Sequence, residues 1–255
     1  MQNEDKYQQF GFKFSKGSTH TRRTIMLNEL IMILDAVRDA ESTQDYYTAA
    51  EEDNCLRKRT ANSRKYSIQY LIQLYSLDKD VLLFKGLLYF WSRDIESQPL
   101  IAILCAMARD SLLRETSKFI TNMPINSLFS KEEMESYIDS LEPGRFSEKT
   151  LQSTTRNISS SWSQSGHLKG NTKKIRHMVE ATSASVAYAL FLGYLLEIRG
   201  TELFETDFIK ILDCSKERLM ELAEIASRKG WIIFKRIDNV IEVLFPNLVG
   251  LGGGV

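Results

Sequence analysis

The sequence has few of the residues that cross-link a fold or interrupt its helices. Its 255 residues include 3 cysteines, 4 prolines and 13 glycines. So few cysteines exclude a small disulfide scaffold, and the scarcity of proline and glycine leaves long stretches in which a helix can continue. Hydrophobic residues make up 43% of the chain and charged residues 26%, which excludes a wholly disordered protein. We therefore expect a mainly α-helical fold with an ordinary hydrophobic core.

Long apolar runs are also missing. The longest uncharged stretch, residues 181–196, contains Thr182, Ser183 and Ser185. It is shorter than the roughly 20 apolar residues that a membrane-spanning helix needs. Residues 1–5 are polar and acidic, so we expect no signal peptide. These absences predict a cytoplasmic protein with no membrane partner.

The common signatures of a catalytic site are absent. The sequence contains no GxxxxGK[ST] phosphate loop, no HExxH zinc motif and no GxSxG nucleophile motif. Its three histidines, His20, His167 and His177, do not lie at close metal-ligand spacing from one another or from a cysteine. The acid-rich residues 51–53 and 132–133 are where a nuclease could hold Mg²⁺, but exposed carboxylates are far more commonly solvated charge. We predict no enzymatic activity, no metal, no cofactor and no small-molecule substrate.

The sequence does have strong segregation of charge. Its 33 basic and 33 acidic residues cancel, yet residues 41–53 hold five acids and no lysine or arginine. Residues 54–77 hold no acid but carry the N-terminal basic cluster: Arg57, Lys58, Arg59, Arg64 and Lys65. Residues 147–177 hold a single acid, Glu148, and the central basic region: Lys149, Arg156, Lys169, Lys173, Lys174 and Arg176. A weaker group lies near the N-terminus: Lys13, Lys16, Arg22 and Arg23. Two dense basic segments favour the binding of a polyanion, and the alternative is that each is a solvated face.

The first predicted part of the chain, residues 1–125, is helical and carries the N-terminal basic cluster. Residues 1–24 are expected to form a flexible or loosely docked arm. The apolar spacing over residues 68–75 predicts an amphipathic helix. If that helix begins before Arg57, the cluster shares one side of it. If Ser63 caps it instead, the first three cations of the cluster precede it. Both arrangements leave the cluster exposed.

Residues 126–180 are typical of a helix-turn-helix. Ser130 and Glu133 form a capping-box sequence, Pro143 and Gly144 break the first helix, and Ser147 can cap a second. One side of that second helix is predicted to face the core: Leu151, Thr155, Ile158 and Trp162. The opposite side carries polar and basic groups: Lys149, Gln152, Ser153, Arg156, Ser159 and Ser160. Such side chains reach phosphates and base edges in a major groove, and the following segment could be a flanking wing. The alternative is an ordinary helical hairpin with a serine-rich exposed side.

The last part, residues 181–249, has the order of a winged helix. Three helical segments precede a hairpin that turns at residues 237–239. The outward side of the third helix is predicted to be acidic, with Arg228 as its one cation: Glu217, Glu221 and Glu224. Because phosphate would be repelled there, we predict internal packing or a protein contact for this module. Residues 250–255 are expected to be a flexible tail.

Three segments together resemble a known family. They are residues 53–65, Asp-Asn-Cys-Leu-Arg-Lys-Arg-Thr-Ala-Asn-Ser-Arg-Lys; residues 87–91, Leu-Leu-Tyr-Phe-Trp, with the helix at 101–109; and residues 149–168, ending in Ser-Gly-His-Leu. In their order and spacing, over residues 10–180, the chain is similar to the BrxA family of bacteriophage-exclusion (BREX) defence systems. The resemblance implies a small, largely helical DNA-binding protein, or one related to an RNA-binding antitermination fold. Such proteins act beside a methyltransferase, an alkaline-phosphatase-like protein, an ATPase and a Lon-like protein. The resemblance supplies no catalytic residue.

Together these patterns predict a helical bundle with helix-turn-helix and winged-helix-like modules and a short C-terminal β-hairpin. The predicted function is that of a non-enzymatic accessory protein in phage defence, which binds double-stranded DNA mainly through backbone phosphates. The residues predicted to contact DNA are Arg57, Lys58, Arg59, Arg64, Lys65, Lys149, Gln152, Arg156, Lys169, Lys173, Lys174 and Arg176. Other BREX components are the predicted protein partners. Two alternatives stay open: an RNA-binding module, and a protein-interaction adaptor that uses the acidic C-terminal side.

Overall fold

The fold is mainly α-helical, as the sequence predicts. A computed structural model describes residues 2–238 and 240–249, so the predicted tail at 250–255 and Asn239 of the predicted turn lie outside the described residues. The helices are α1 (Gln2–Gln9), α2 (Leu27–Ala36), α3 (Thr43–Glu51), α4 (Ala61–Tyr75), α5 (Leu82–Trp91), α6 (Gln98–Arg109), α7 (Ser111–Asn122), α8 (Lys131–Leu141), α9 (Glu148–Gln164), α10 (Ser183–Leu195), α11 (Asp207–Lys210), α12 (Lys216–Arg228) and α13 (Pro246–Val249). Short 3-10 turns occur at Thr19–Thr21, Ile95–Ser97 and Gly200–Glu205. The strands form two antiparallel hairpins: β1 (Leu168–Lys169) with β2 (Ile175–Arg176), and β3 (Ile233–Ile237) with β4 (Val240–Leu244).

Two apolar helices, α6 and α10, form the centre of the core. All 13 residues of α10 are buried, and so are residues 100–109 of α6. Small residues let the neighbouring helices approach closely, since a Cβ atom at Gly86 of α5 would lie 2.5 Å from Cε1 of Phe191 on α10. Helix α10 packs against α5, α6 and α12, so the N-terminal and C-terminal parts share one core. The division at residues 125 and 180 stays a prediction. Within the described residues, none of the helices has the length and apolar character needed to span a membrane.

The N-terminal arm is packed against the core, and the prediction of a flexible or loosely docked segment is wrong. Phe12 is 2% exposed and His20 is fully buried. The Lys13 amide donates to the Ala108 carbonyl at 3.0 Å, which ties the arm to the end of α6. The physical reason is aromatic content. Tyr7, Phe10, Phe12 and Phe14 all pack on the core, and their burial outweighs the entropy lost when the segment is ordered.

The predicted pair of central helices is present as α8 and α9, which pack against each other. Each helix begins after the serine that the sequence indicates. The Ser130 hydroxyl accepts from the Glu133 amide at 3.1 Å, and the Ser147 hydroxyl accepts from the Thr150 amide at 3.3 Å. The β1–β2 hairpin follows α9 at the position of the predicted wing and packs on that helix. These contacts fix α9 between the hairpin, α8 and the arm.

The C-terminal part has the predicted order of helices followed by a hairpin. Helices α10, α11 and α12 precede β3 and β4. The hairpin is in register from Ile233 opposite Leu244 to Ile237 opposite Val240. Helix α12 packs on α10 and on β3 through its apolar side. Its acidic side is therefore turned away from the core.

Candidate nucleic-acid interface

Helix α4 determines where the N-terminal basic cluster lies. Its N-cap is Thr60, whose hydroxyl accepts from the Ser63 amide at 3.1 Å, while the Ser63 hydroxyl accepts from the Thr60 amide at 3.3 Å. The helix therefore begins after the first three cations of the cluster, which lie in the preceding loop. This is the second of the two predicted arrangements, with Thr60 rather than Ser63 as the cap.

The five cations of this cluster do not form one exposed set, and that prediction is wrong. Lys58 is half-buried, and its Nζ atom pairs with Glu29 at 2.7 Å. Arg64 is also half-buried, and its Nη1 atom donates to the Glu51 carbonyl at 3.1 Å. That bond satisfies a carbonyl at the end of α3, which explains why Arg64 is drawn inward. The remaining three cations are exposed: Arg57, Arg59 and Lys65.

An open cleft beside the start of α4 gathers cations from distant parts of the sequence. Its volume is about 340 Å³. The residues that line it, which we call the basic cleft, are Arg22, Arg23, Thr24, Met26, Glu29, Lys58, Ser63, Ser67 and Asn157. Three cations against one carboxylate give this lining a net charge of +2. The sequence marked Arg22 and Arg23 as a weak basic group, and their position beside Lys58 is seen only in the fold.

Lys65 does not belong to the basic cleft. It follows Ser63 by two residues, which places the two side chains about 160° apart around the helix axis. Ser63 lines the cleft, so Lys65 points away from it. The two ends of the predicted cluster therefore face different directions.

Helix α9 continues the basic surface beyond the cleft. At about 100° per residue, Lys149, Ser153, Arg156 and Ser160 form one stripe along this helix. Lys149 and Arg156 are exposed, and the two serines are half-buried. Asn157 follows Arg156 directly and lines the basic cleft. The stripe and the cleft therefore adjoin.

The accessible side of α9 is narrower than predicted. Ser159 is 2% exposed and accepts a hydrogen bond from Lys174 Nζ at 3.3 Å, so its prediction as an outward residue is wrong. Gln152 is half-buried, and its amide donates to Glu148 at 3.3 Å. The arm packs along the opposite flank of the helix. Neighbouring segments thus cover both flanks, and the stripe is the part of α9 that a ligand can reach.

The cations of the β1–β2 hairpin differ in accessibility. Lys169 and Lys173 are exposed, and Lys169 Nζ lies 2.9 Å from His177 Nε2. Lys174 is half-buried beside α9; burial, and to a smaller extent the charge of Lys131, lowers its pKa. The exposed end of the hairpin is therefore Lys173 and its neighbours.

Arg176 belongs to the protein interior, so its predicted contact with DNA is wrong. It is 1% exposed. Its Nη1 and Nη2 atoms donate to the two carboxylate oxygens of Asp213 at 2.9 and 2.5 Å, and its Nε atom donates to the Ile120 carbonyl at 2.9 Å. A guanidinium held in this way cannot reach a phosphate outside the protein. Its role is to join the hairpin to the loop before α12.

A buried chain of polar side chains fixes the arm against α9, and sequence analysis missed it. His20 Nδ1 lies 2.9 Å from Asp110 Oδ2, and His20 Nε2 lies 3.0 Å from Ser161 Oγ. Burial raises the pKa of Asp110, but the charge of His20 and the hydrogen bonds that the carboxylate accepts outweigh this and lower the pKa to about 2. The three residues lie on the arm, at the start of α7 and on α9, so no local pattern connects them.

Asp110, His20 and Ser161 are linked in the order of a hydrolytic Asp-His-Ser triad, but a substrate cannot reach them. His20 and Ser161 are fully buried, and Asp110 is 1% exposed. A nucleophile in that position meets neither solvent nor ligand. These linked side chains have a structural role. They hold the turn that precedes Arg22 and Arg23, and so they fix one wall of the basic cleft.

A second surface, at the C-terminal part, carries more acidic than basic groups, four carboxylates against two cations in the cleft beside α12. The outward side of α12 is exposed as predicted: Glu217, Glu221 and Glu224. Together with residues of the β3–β4 hairpin they line a cleft of about 380 Å³. Ile237 and Val240 of that hairpin are 75% and 73% exposed. We call the three carboxylates of α12 the acidic face.

No protein-family model and no curated protein sequence matches this chain. Among residues 2–238 and 240–249, no group of three or more histidine, cysteine, aspartate or glutamate side chains is arranged to hold a metal ion.

Proposed function

We propose that this chain is a non-enzymatic accessory protein of a BREX-type phage-defence system and that it binds duplex DNA through one basic face. That face comprises the basic cleft, the α9 stripe and the exposed end of the β1–β2 hairpin. The observation that carries the proposal is the placement of Arg22, Arg23 and Lys58 in one cleft that adjoins Arg156 on α9.

The chemistry of the basic face suits a phosphate backbone. Its cations come from separate elements that the core holds at fixed distances, so several phosphates of one duplex can be neutralised at once. Ser153, Ser160 and Asn157 add hydroxyl and amide groups for hydrogen bonds to phosphate or to base edges. The basic face has more groups suited to phosphates than groups suited to base edges. We therefore expect salt-sensitive affinity with a modest sequence preference.

The defence assignment is based on the resemblance to the BrxA family. Two of the segments that carry it, residues 53–65 and 149–168, also supply Lys58 and Arg156 to the basic face. The proposed partners are accordingly double-stranded DNA and other BREX components, in the cytoplasm. No membrane and no small-molecule substrate are part of the proposal.

The test is fluorescence anisotropy with labelled duplex DNA, single-stranded DNA and duplex RNA at several salt concentrations. We expect duplex DNA to bind most tightly, with log affinity falling by about 0.9 per unit of log salt for each phosphate neutralised, or about 4 to 5 for five contacts. If duplex RNA bound as tightly as duplex DNA or more tightly, RNA and not DNA would be identified as the ligand. Absence of binding to all three would contradict the proposal.

The acidic face favours a second candidate function, that of a protein-interaction adaptor. Four carboxylates against two cations line the cleft beside α12, and this excess of negative charge suits a basic protein partner. Co-elution of the purified chain with each BREX component on size exclusion tests it. The expected result is a stable complex that Glu221→Lys with Glu224→Lys disrupts. Unchanged complex formation by that variant would exclude the acidic face.

A further inference from the structure

We propose that the basic cleft takes a terminal phosphate, the phosphomonoester at the end of a nucleic-acid strand, and that the protein therefore prefers phosphorylated ends. This inference rests on the proposed function, because the rest of the basic face is needed to hold the adjoining strand.

The shape of the cleft favours the end of a strand over its middle. Its walls come from the arm, α2, the loop before α4, α4 itself and α9. Ser67, on the α4 wall, is 3% exposed, so this part of the wall lies below the surrounding surface. A phosphodiester within a duplex carries a sugar on each side and stays on the outer surface of the double helix. A terminal phosphate carries one sugar and can enter a recess.

The charge of the cleft also fits a phosphomonoester. Arg22, Arg23 and Lys58 face one carboxylate, Glu29, which gives the lining a net charge of +2. A phosphomonoester carries about −1.5 to −2 charges at neutral pH, whereas a phosphodiester carries one. Glu29 pairs with Lys58 at 2.7 Å and so keeps that ammonium in place at the rim.

The Ser67 hydroxyl lines the cleft and has no hydrogen-bond partner among the described residues. The residue as a whole is 3% exposed, but its oxygen is accessible from the cleft. A hydroxyl in this position can donate to a phosphate oxygen. Ser63 lies one turn earlier on the same wall, close to the N-terminal end of α4, where the helix dipole favours an anion. A phosphate oxygen in the cleft would complete the bonding of Ser67.

The side chains around the cleft are arranged to hold a terminal nucleotide. The Arg23 guanidinium lies over the ring of Tyr70, 4.9 Å from its centroid, and donates to the Arg22 carbonyl at 3.1 Å. These contacts restrain it before any ligand binds, which lowers the entropy lost on binding. Tyr66 lies one turn before Tyr70 on the same edge of α4 and is 50% exposed. Its ring offers a surface on which an unpaired or fraying terminal base can stack.

The test compares oligonucleotides that differ at one end alone. Blunt duplex and single-stranded DNA of one sequence, with an internal fluorophore, are prepared with a 5′-phosphate, with a 3′-phosphate or with hydroxyls at both ends. We expect one phosphorylated end to raise the affinity about tenfold over the hydroxyl form. The two phosphorylated arms identify which end enters the cleft.

Three variants locate the effect. Ser67→Val replaces the hydroxyl on the α4 wall with a methyl group and adds a second methyl group, without changing surface charge. Arg23→Gln removes one cation, and both variants should abolish the preference for phosphate. Lys65→Gln, on the opposite side of the same helix, removes a cation outside the cleft and should keep it. Circular dichroism and thermal unfolding show whether each variant is folded. Arg23→Gln stays informative if Ser67→Val does not fold.

The outcomes separate this inference from the proposed function. Equal affinity for phosphorylated and hydroxyl ends, with salt-dependent duplex binding, would overturn the terminal-phosphate site and leave the proposed function intact. If both cleft variants kept the preference for phosphorylated ends, the terminal phosphate would not bind in the basic cleft. A phosphate preference on single strands without duplex binding would support the cleft and contradict the proposed duplex ligand.

Discussion

Helices α9 and α12 are built alike, yet the charges around them come from different sources. Each follows a serine cap whose hydroxyl accepts from an amide three residues later at 3.3 Å, and each buries one apolar side in the common core. The arm and the β1–β2 hairpin lie along the flanks of α9 and bring their own cations to it. Helix α12 instead exposes only charges of its own, three carboxylates together with Lys216, Arg218 and Arg228. The outward charge of α12 is thus set locally, and that of the surface around α9 is assembled from distant segments.

This difference has a functional consequence. A surface assembled from several elements places cations at fixed positions across a wide area, as a phosphate backbone requires. It also depends on buried contacts that hold those elements together. The Arg176–Asp213 pair is the buried contact between the β1–β2 hairpin and the loop before α12, and its loss should have the largest effect.

The largest expected effect is that of Arg176→Met. The change leaves Asp213 without its guanidinium in a nearly buried site, and breaking such a pair costs about 4 kcal/mol in the free energy of unfolding. Urea denaturation measures it. Lys173→Met, an exposed residue of the same hairpin, is the matched control and should change stability by less than about 0.5 kcal/mol. If Arg176→Met left stability unchanged and weakened DNA binding, Arg176 would contact DNA as the sequence predicted.

The next largest effect is a dependence of stability on pH that comes from His167. This residue links the end of α9 to α11, with Nε2 2.7 Å from the Ile211 carbonyl and Nδ1 2.8 Å from Ser165 Oγ. Burial lowers the pKa of His167 to about 4. Its pKa in the unfolded chain is about 6.5, so between these values the unfolded state binds a proton that the folded state does not. The free energy of unfolding should therefore fall by about 2 kcal/mol from pH 7 to pH 5.

His167→Gln isolates this contribution. Glutamine does not titrate, so the variant should lose about 2 kcal/mol less than the parent over the same pH interval, whatever its stability at pH 7. Urea denaturation of both proteins at the two pH values provides the comparison. Equal losses in the two proteins would show that the pH dependence comes from other groups.

The smallest effects concern the two serine caps. Ser147→Ala and Ser215→Ala each remove one hydroxyl that accepts an amide hydrogen bond at 3.3 Å, and each should cost about 1 kcal/mol of stability. Because capping is local, we expect the two costs to agree within measurement error. Ser153→Ala, within α9, serves as a control. A much larger cost for Ser147→Ala would mean that the flanking segments depend on how α9 starts.

Features that depend on local sequence could be predicted. The starts of α8 and α9 follow from Ser130 and Ser147, and the acidic side of α12 follows from helical spacing. The class of fold follows from the apolar periodicity and the scarcity of helix breakers. In each case the decisive residues lie within one or two helical turns of one another.

Features that join distant segments could not be predicted in the same way. Arg176 and Asp213 are separated by 37 positions, and His20 and Asp110 by 90. Charge counting therefore placed Arg176 with the exposed cations. It also undervalued Arg22 and Arg23, whose importance depends on the loop before α4 folding beside them. The basic cleft is a property of the tertiary structure, and its parts carry no shared motif.

We expect the basic face, and not the charge of the protein in general, to bind duplex DNA. The most direct measurement is the affinity of two charge-reversal variants for one labelled duplex at a fixed salt concentration. Arg22→Glu with Arg156→Glu should weaken binding by at least about tenfold, because two phosphate contacts become repulsive. Glu221→Lys with Glu224→Lys changes the net charge by the same amount in the opposite direction and should alter affinity by less than about threefold. Unchanged affinity in the first variant would contradict the account.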